Sequence, residues 1–187
     1  CATTTPDFVF PSTANLICDM AGLRHIGSFD VQAACSGFIY ALTIATQFLG
    51  TGRSRKVIVV GAEKMTAITD YQDRSTCVLF GDAAAAVLLE PSTNDYGIID
   101  SVIYSDGSGL PYLHQKAGGS RRPPSAETVA QRLHFLYQDG RQVYKHAVAR
   151  LAEVTAEIMK RNGLTSEQLD WIVPHQANRR IIEATAD

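Results

Sequence analysis

The stretch that decides the fold is Ser28-Phe-Asp-Val-Gln-Ala-Ala-Cys-Ser-Gly-Phe38, where an extended apolar run gives way to a helical one with Cys35 at the junction. Beyond it Phe38, Ala41, Leu42, Ala45, Phe48 and Leu49 recur at helical spacing until the stop signal Gly50-Thr-Gly52. The order is strand, cysteine, helix. A helix N-terminus presents unpaired N–H groups and the positive end of the peptide dipole, so it favours thiolate over thiol and can hold a developing oxyanion. A cysteine in apolar surroundings is otherwise a packing residue, and its place at this junction is what makes Cys35 a candidate nucleophile. A second stretch, Asp170-Trp-Ile-Val-Pro-His-Gln-Ala-Asn178, again reads as a strand ending in a polar turn and offers His175 as the partner base.

Working outward, Pro11-Ser12 and Gly22 bracket a first helix. Lys56-Val-Ile-Val-Val-Gly61 and Ala83 to Leu89 are short continuous apolar runs suited to strands covered on both faces, which implies a buried central sheet. Ile98 to Tyr104 is a further strand candidate. Gln115 to Ser125 holds too many turn formers to be other than an exposed loop or linker. This places a first half at 1–114, the linker at 115–125 and a second half at 126–187. Between Asp139 and Asn162 the residues Val143, Ala147, Leu151, Val154 and Ile158 form one apolar stripe, with Gly163 as the stop, so a long amphipathic helix is expected. Thr165 with Gln168 suits a capping box, Trp171 to Val173 a strand, and a last helix begins at Asn178. The alternation of strand and helix gives an α/β class, and no internal repeat stands out.

Composition narrows the function. A chain of 187 residues with 45% hydrophobic and 19% charged content has enough apolar side chains for a sizeable core. A formal net charge of −2 argues against general nucleic-acid binding, though Arg53/Arg55/Lys56, Arg121/Arg122 and Arg179/Arg180 are local basic clusters able to receive an acidic ligand. No apolar run approaches the ~20 residues of a membrane span, and the N-terminus lacks the order of a signal peptide, so a cytoplasmic location is expected. Cys1, Cys18, Cys35 and Cys77 form no Cys-x-x-Cys pair, which points to free thiols and to neither zinc nor a disulfide framework. Cys18 reads as part of a helix face and Cys77 as a strand residue, both for packing.

Ala33-Ala-Cys-Ser-Gly-Phe38 and Val173-Pro-His-Gln-Ala-Asn178 resemble the nucleophile and histidine motifs of β-ketoacyl-acyl carrier protein synthase III. Phe10-Pro-Ser12, Asp73-Arg74, Phe80-Gly-Asp82 and Arg180 extend the resemblance along the whole chain. It implies a thiolase-like layered αβαβα fold, two similar halves with Cys35 in the first and His175 in the second, incomplete at both ends in this chain. It also implies the activity of that family: decarboxylative Claisen condensation of a short acyl-CoA with malonyl-acyl carrier protein, initiating type II fatty acid synthesis, by a homodimer that needs no cofactor. Cys35 would carry the acyl group. His175 would donate a hydrogen bond to the malonyl thioester oxygen as carbon dioxide leaves. The family's Gly-Asn-Thr-Ser motif and its glycine-rich turn near the C-terminus do not occur here, and Asn178 belongs to the histidine motif. The chain is thus expected to be an internal fragment, inactive by itself.

Other positions follow from the same resemblance. Arg74 matches an arginine that packs on the CoA adenine, the alternative being a surface loop arginine. Phe10 matches a residue that reaches across the homodimer to the partner's acyl pocket, the alternative being a core Phe. Arg180 matches a basic residue used to dock the acidic carrier protein, with Arg179 adding charge. Arg141 stands where family members often have a pantetheine-contacting asparagine, so it keeps the position and not the residue type. Ala83 to Ala86 replace glycines common in the family. A secondary-metabolite synthase or acyltransferase of the same fold, a Cys/His thioester hydrolase, and a non-catalytic truncated chain stay open as alternatives.

Overall fold

A computed structural model describes residues 1–94 and 96–186. Its contacts divide the chain into two units, Cys1–Ala67 with Gly81–Ile103, and Ile68–Phe80 with Tyr104–Asp187.

In the first unit helix α1 (Thr13–Met20) starts at Ser12, whose Oγ accepts from Asn15 N–H at 3.3 Å. Asp30 supplies a second cap from further along the chain, accepting from Thr13 N–H at 2.7 Å and Ala14 N–H at 2.8 Å. Two of the helix's orphan donors are thereby paired. The helix ends in a left-handed Gly22 (φ 69°), with Leu23 N–H reaching Cys18 O at 2.8 Å and Gly22 N–H reaching Asp19 O at 3.0 Å. That is a Schellman closure, which glycine adopts without a Cβ penalty.

Helix α2 (Gly37–Gly50) packs on strand β1 (Val57–Lys64), which pairs antiparallel with β2 (Asp82–Leu89) from Val57↔Leu89 to Lys64↔Asp82. The alanines of β2 keep this register without a bulge. The core is made of small residues, Ala2, Ala41, Ala45 and Val59, edged by Val31, Phe38, Leu42, Val57 and Leu89. Small side chains let the helix approach the strand closely. One face only is covered in this chain: Val59 is 4% exposed but its neighbour Ile58 is 54%, and β2 is exposed along all but its last residue. The expected sheet buried on both faces is therefore corrected, because α2 covers one side of β1 and no second layer is packed on the other among the described residues.

The extended run at Ser28 to Ala33 is not a strand. Val31 alone forms a bridge, to Ala2, and Ala2 bridges on to Gly61. The pairing stops because Ala34 takes a left-handed φ of 45°. Ile98 to Tyr104 and Trp171 to Val173 also form no strand, and the latter three side chains are 87%, 61% and 90% exposed, with no neighbouring chain paired to them. β-branched composition gives a strand only where a partner supplies its hydrogen bonds. Cys77 lies in a turn, its N–H bonded to Asp73 O at 3.0 Å, and not in the strand expected.

The second unit holds the short antiparallel pair β3 (Leu113–Gln115) and β4 (Leu136–Gln138), helix α3 (Ala126–Ala130) with a Ser125/Thr128 capping box, the long helix α4 (Gly140–Arg161) and α5 (Arg179–Ala186). Asp139 caps α4, accepting from Arg141 and Gln142 N–H at 3.1 Å each. Gly163 (φ 63°) closes it as Gly22 closes α1. All five stripe residues of α4 are half-buried, and α5, anchored by buried Ile181, packs against this helix. Leu136 N–H bonds to Ile68 O at 2.8 Å and Arg132 pairs with Asp70, which stitches the 68–80 excursion into this unit. The expected Thr165/Gln168 box is present, opening a single 3-10 turn. Among the described residues no helix is long and apolar enough to cross a membrane.

Candidate active site

Cys35 sits in a one-turn 3-10 segment, Ala34–Ser36, that runs directly into α2. The backbone enters it through Ala34 at φ 45°, and Ser36 N–H bonds back to Ala33 O at 3.1 Å. This turn lifts the thiol to the surface at the helix N-terminus, and Cys35 is exposed. Its acidity runs against expectation. Loss of water around the sulfur pushes the thiol pKa up from its ordinary value; the residue's own backbone N–H pulls it down by less, and the negative charge of Glu63 adds to the rise. The helix N-terminus thus does not outweigh desolvation in setting the direction of the shift. Because the residue is exposed overall, water screens part of this effect, and only its direction carries weight.

His175 belongs to the second unit and lies in the turn before α5. It is exposed, and its carbonyl accepts from Ala177 N–H at 2.9 Å. Asn178 Oδ1 accepts from Ile181 N–H at 3.0 Å, so this asparagine is occupied in capping α5.

Arg74 projects from a turn whose shape is set by Asp73. That carboxylate accepts from Ser75 N–H at 2.9 Å, Ser75 Oγ at 2.6 Å and Thr76 Oγ1 at 3.1 Å, and these bonds hold its pKa below the usual range. Thr76 is 1% exposed, so the turn has a fixed root and an exposed arginine. Arg141 is exposed in the first turn of α4. Arg179 pairs with Glu183 one helical turn on (Nε to Oε1, 2.6 Å), whereas no described residue pairs with Arg180. Phe10, in the first unit, is 83% exposed beside Phe8 and Val9, which removes the reading of a core Phe in this chain. Cys35 and Phe10 therefore fall in one unit, and His175, Arg74, Arg141, Arg179 and Arg180 in the other.

A cleft of about 790 Å³ in the first unit is lined by apolar residues of α1, α2, β1 and the 28–33 run, including Ile17, Phe29, Phe48 and Val57. Cys35 does not line it. Sequence reasoning passed over Glu63. Nothing in Gly61-Ala-Glu-Lys64 marks it; only the threonines gathered around its carboxylate do.

Residues 29–107 match the family described as 3-oxoacyl-[acyl-carrier-protein] synthase III, and residues 159–187 match the C-terminal part of the same family. The β-ketoacyl-[acyl-carrier-protein] synthase III of Phocaeicola vulgatus is 54% identical over 185 residues, covering 99% of this chain and 55% of its own length. Among solved structures, the 3-oxoacyl-[acyl-carrier-protein] synthase III of Aquifex aeolicus superposes with a TM-score of 0.88 at 40% identity, covering 99% of this chain and 55% of that one. The priming β-ketosynthase of the R1128 polyketide pathway superposes at 0.83 with 35% identity, covering 99% and 54%. The chain spans about half the length of the curated relatives it matches. Its fold class is the thiolase-like α/β one of these neighbours. Likeness of sequence along the whole chain and likeness of backbone agree, and this chain belongs to the 3-oxoacyl-[acyl-carrier-protein] synthase III family.

Proposed function

We propose that the full-length protein is an acyltransferase that condenses a short acyl-CoA with malonyl-acyl carrier protein and so begins type II fatty acid synthesis. The observation that carries this reading is the 54% identity, along the whole chain, to synthases of that name. The 3-oxoacyl product is released on the carrier.

In this reading Cys35 Sγ attacks the acyl thioester carbonyl, the carbon–sulfur bond to CoA breaks, and CoA leaves with the thiol proton. One thioester replaces another of similar energy. The malonyl carbon–carboxylate bond then breaks, carbon dioxide departs, and the electron pair passes into an enolate whose oxygen accepts a hydrogen bond from His175 Nε2. The enolate carbon attacks the acyl carbonyl and Cys35 is released. The raised thiol pKa fits a nucleophile that gives up its proton during loading and not before. No step needs a redox group or a Lewis acid, so the proposal includes no cofactor.

Arg74 is proposed for the CoA adenine and Arg141 for the pantetheine arm, the fixed turn under Arg74 and the helix start under Arg141 holding each side chain at the surface. Arg180 docks the acidic carrier, aided by Arg179. Phe10, exposed with its apolar neighbours, suits insertion into a partner copy's acyl pocket in a homodimer. The halves of the full-length protein are proposed to meet at 115–125, and the compartment is proposed to be the cytoplasm. A synthase of secondary metabolism is the second reading, supported by the superposition on a polyketide priming synthase.

Incubation of the full-length protein with acetyl-CoA followed by intact-mass and peptide mapping is expected to place one acetyl group on Cys35. An adduct on Cys18 or Cys77, or none, overturns the assignment.

A further inference from the structure

Glu63, half-buried on β1, is bound to the amino-terminal segment by three hydrogen bonds. Thr4 N–H donates to Oε1 at 2.8 Å, Thr4 Oγ1 to Oε2 at 3.0 Å, and Thr5 Oγ1 to Oε2 at 2.7 Å. Lys64 N–H donates to Thr5 Oγ1 at 2.7 Å, so the Thr5 hydroxyl both gives and receives. The segment fixed in this way reaches both sides of the nucleophile turn. Before the turn, Thr3 N–H bonds to Val31 O at 3.2 Å and Val31 N–H to Cys1 O at 2.7 Å. After it, a Cβ at Gly37 would lie 3.2 Å from Ala2 Cβ, so the first residue of α2 is seated on Ala2 without slack. Displacement of residues 2 to 5 has no room to be absorbed between them and Cys35.

We propose that Glu63 is a positioning residue for Cys35, acting through residues 2 to 5 on the turn that carries the thiol and keeping a negative charge on that side of it. The inference deepens the condensing reading and, for the acyl-transfer step, rests on it. Its chemical sense is that the carboxylate adds to the desolvation that disfavours the thiolate of Cys35. A resting thiol reacts slowly with oxidants and stray electrophiles, and it becomes a nucleophile only as a bound acyl donor and a base allow the proton to leave. The thiol's raised pKa, to which Glu63 contributes, agrees with this geometry. Of the other charged groups in this unit, Lys64 acts on Asp82 of β2, and Asp30 accepts from the Thr13 and Ala14 N–H groups. Tyr40 is the titratable group in the first turn of α2.

The test uses the full-length protein and three variants, with iodoacetamide alkylation of Cys35 followed across a pH series by peptide mass and acetyl-CoA loading followed separately. Glu63→Gln keeps an oxygen acceptor for Thr4 N–H and removes the charge. Its alkylation profile is expected to move to lower pH, with the rate at neutral pH rising by roughly threefold or more. Glu63→Asp, which retains the charge, is expected to restore the profile toward that of the parent. Thr5→Val keeps the charge and removes the Thr5 hydroxyl's bonds to Glu63 and Lys64 while leaving those of Thr4; its profile should stay in place while acetyl loading falls roughly threefold or more. An unmoved profile in Glu63→Gln, or parental loading in Thr5→Val, overturns the proposal. Failure of the condensing reading would show differently, as no acetyl adduct on Cys35 of the parent protein, and the alkylation profiles would still decide the role of Glu63.

Discussion

At the scale of single residues the proposed chemistry depends on two side chains with separate tasks, and the separation can be measured. In that proposal Cys35 carries the acyl group and His175 stabilises the enolate. His175→Ala in the full-length protein is therefore expected to load acetyl on Cys35 at close to the parental rate. Condensation with malonyl-acyl carrier protein should fall about 100- to 1,000-fold, the usual loss for one hydrogen bond to a developing oxyanion. Single-turnover loading beside steady-state condensation reads both, and a variant that fails to load yet still decarboxylates the malonyl thioester reverses the roles. In the sequence each of the two assignments rests on a flanking motif of several residues, and both stand as proposals. The direction of the Cys35 pKa was not legible there. A helix N-terminus is a local feature that sequence can suggest, whereas desolvation, and the charge of Glu63 from 28 residues away, act on the thiol only after folding. Glu63 was invisible for the same reason, since its partners Thr4 and Thr5 are nearly sixty residues distant.

At the scale of elements, helices were more legible than strands. α1, α2 and α4 announce themselves by caps and by an apolar stripe, all encoded within a few residues. Strands need partners, and three stretches with strand composition have none here beyond the single bridge at Val31. The hairpin of β3 and β4 has only three residues a side and was hidden within turn-rich sequence. Asp30 illustrates a cap that no local pattern can reveal, since it serves α1 from 17 residues further along. The seating of α2 on β1 is what fixes Cys35 in space, and Ala45 is its tightest point at 2% exposure. Ala45 shares a core of small residues with Val59, and three added heavy atoms have to displace that packing. Ala45→Leu is expected to destabilise the protein by about 1–3 kcal/mol in a urea melt, and a change within about 0.5 kcal/mol, the usual range for a surface position, would mean that α2 is not seated as described.

At the scale of the whole chain, a formal charge of −2 over these 187 residues supplies no general attraction for an acidic carrier protein, so what this chain contributes to docking has to be local. Arg179 and Arg180 open α5 together, yet they are not equivalent. Arg179 spends its charge on Glu183, while Arg180 has no partner among the described residues and stays available to a visiting carboxylate or phosphate. Arg180→Glu is therefore expected to lower kcat/KM for malonyl-acyl carrier protein roughly tenfold or more at low ionic strength. Arg179→Glu should cost less, because the charge it reverses was already offset. The loss should shrink as salt is added, since the attraction is screened over a Debye length of about 10 Å at 0.1 M. Acetyl-CoA loading of Cys35 should hardly change in either variant, because CoA arrives without a carrier. Steady-state rates over a salt series, with both substrates and both variants, give the comparison. Equal losses with the two substrates would place Arg180 in a path that both share, and equal losses in the two variants would mean that the Arg179–Glu183 pair opens when the carrier binds.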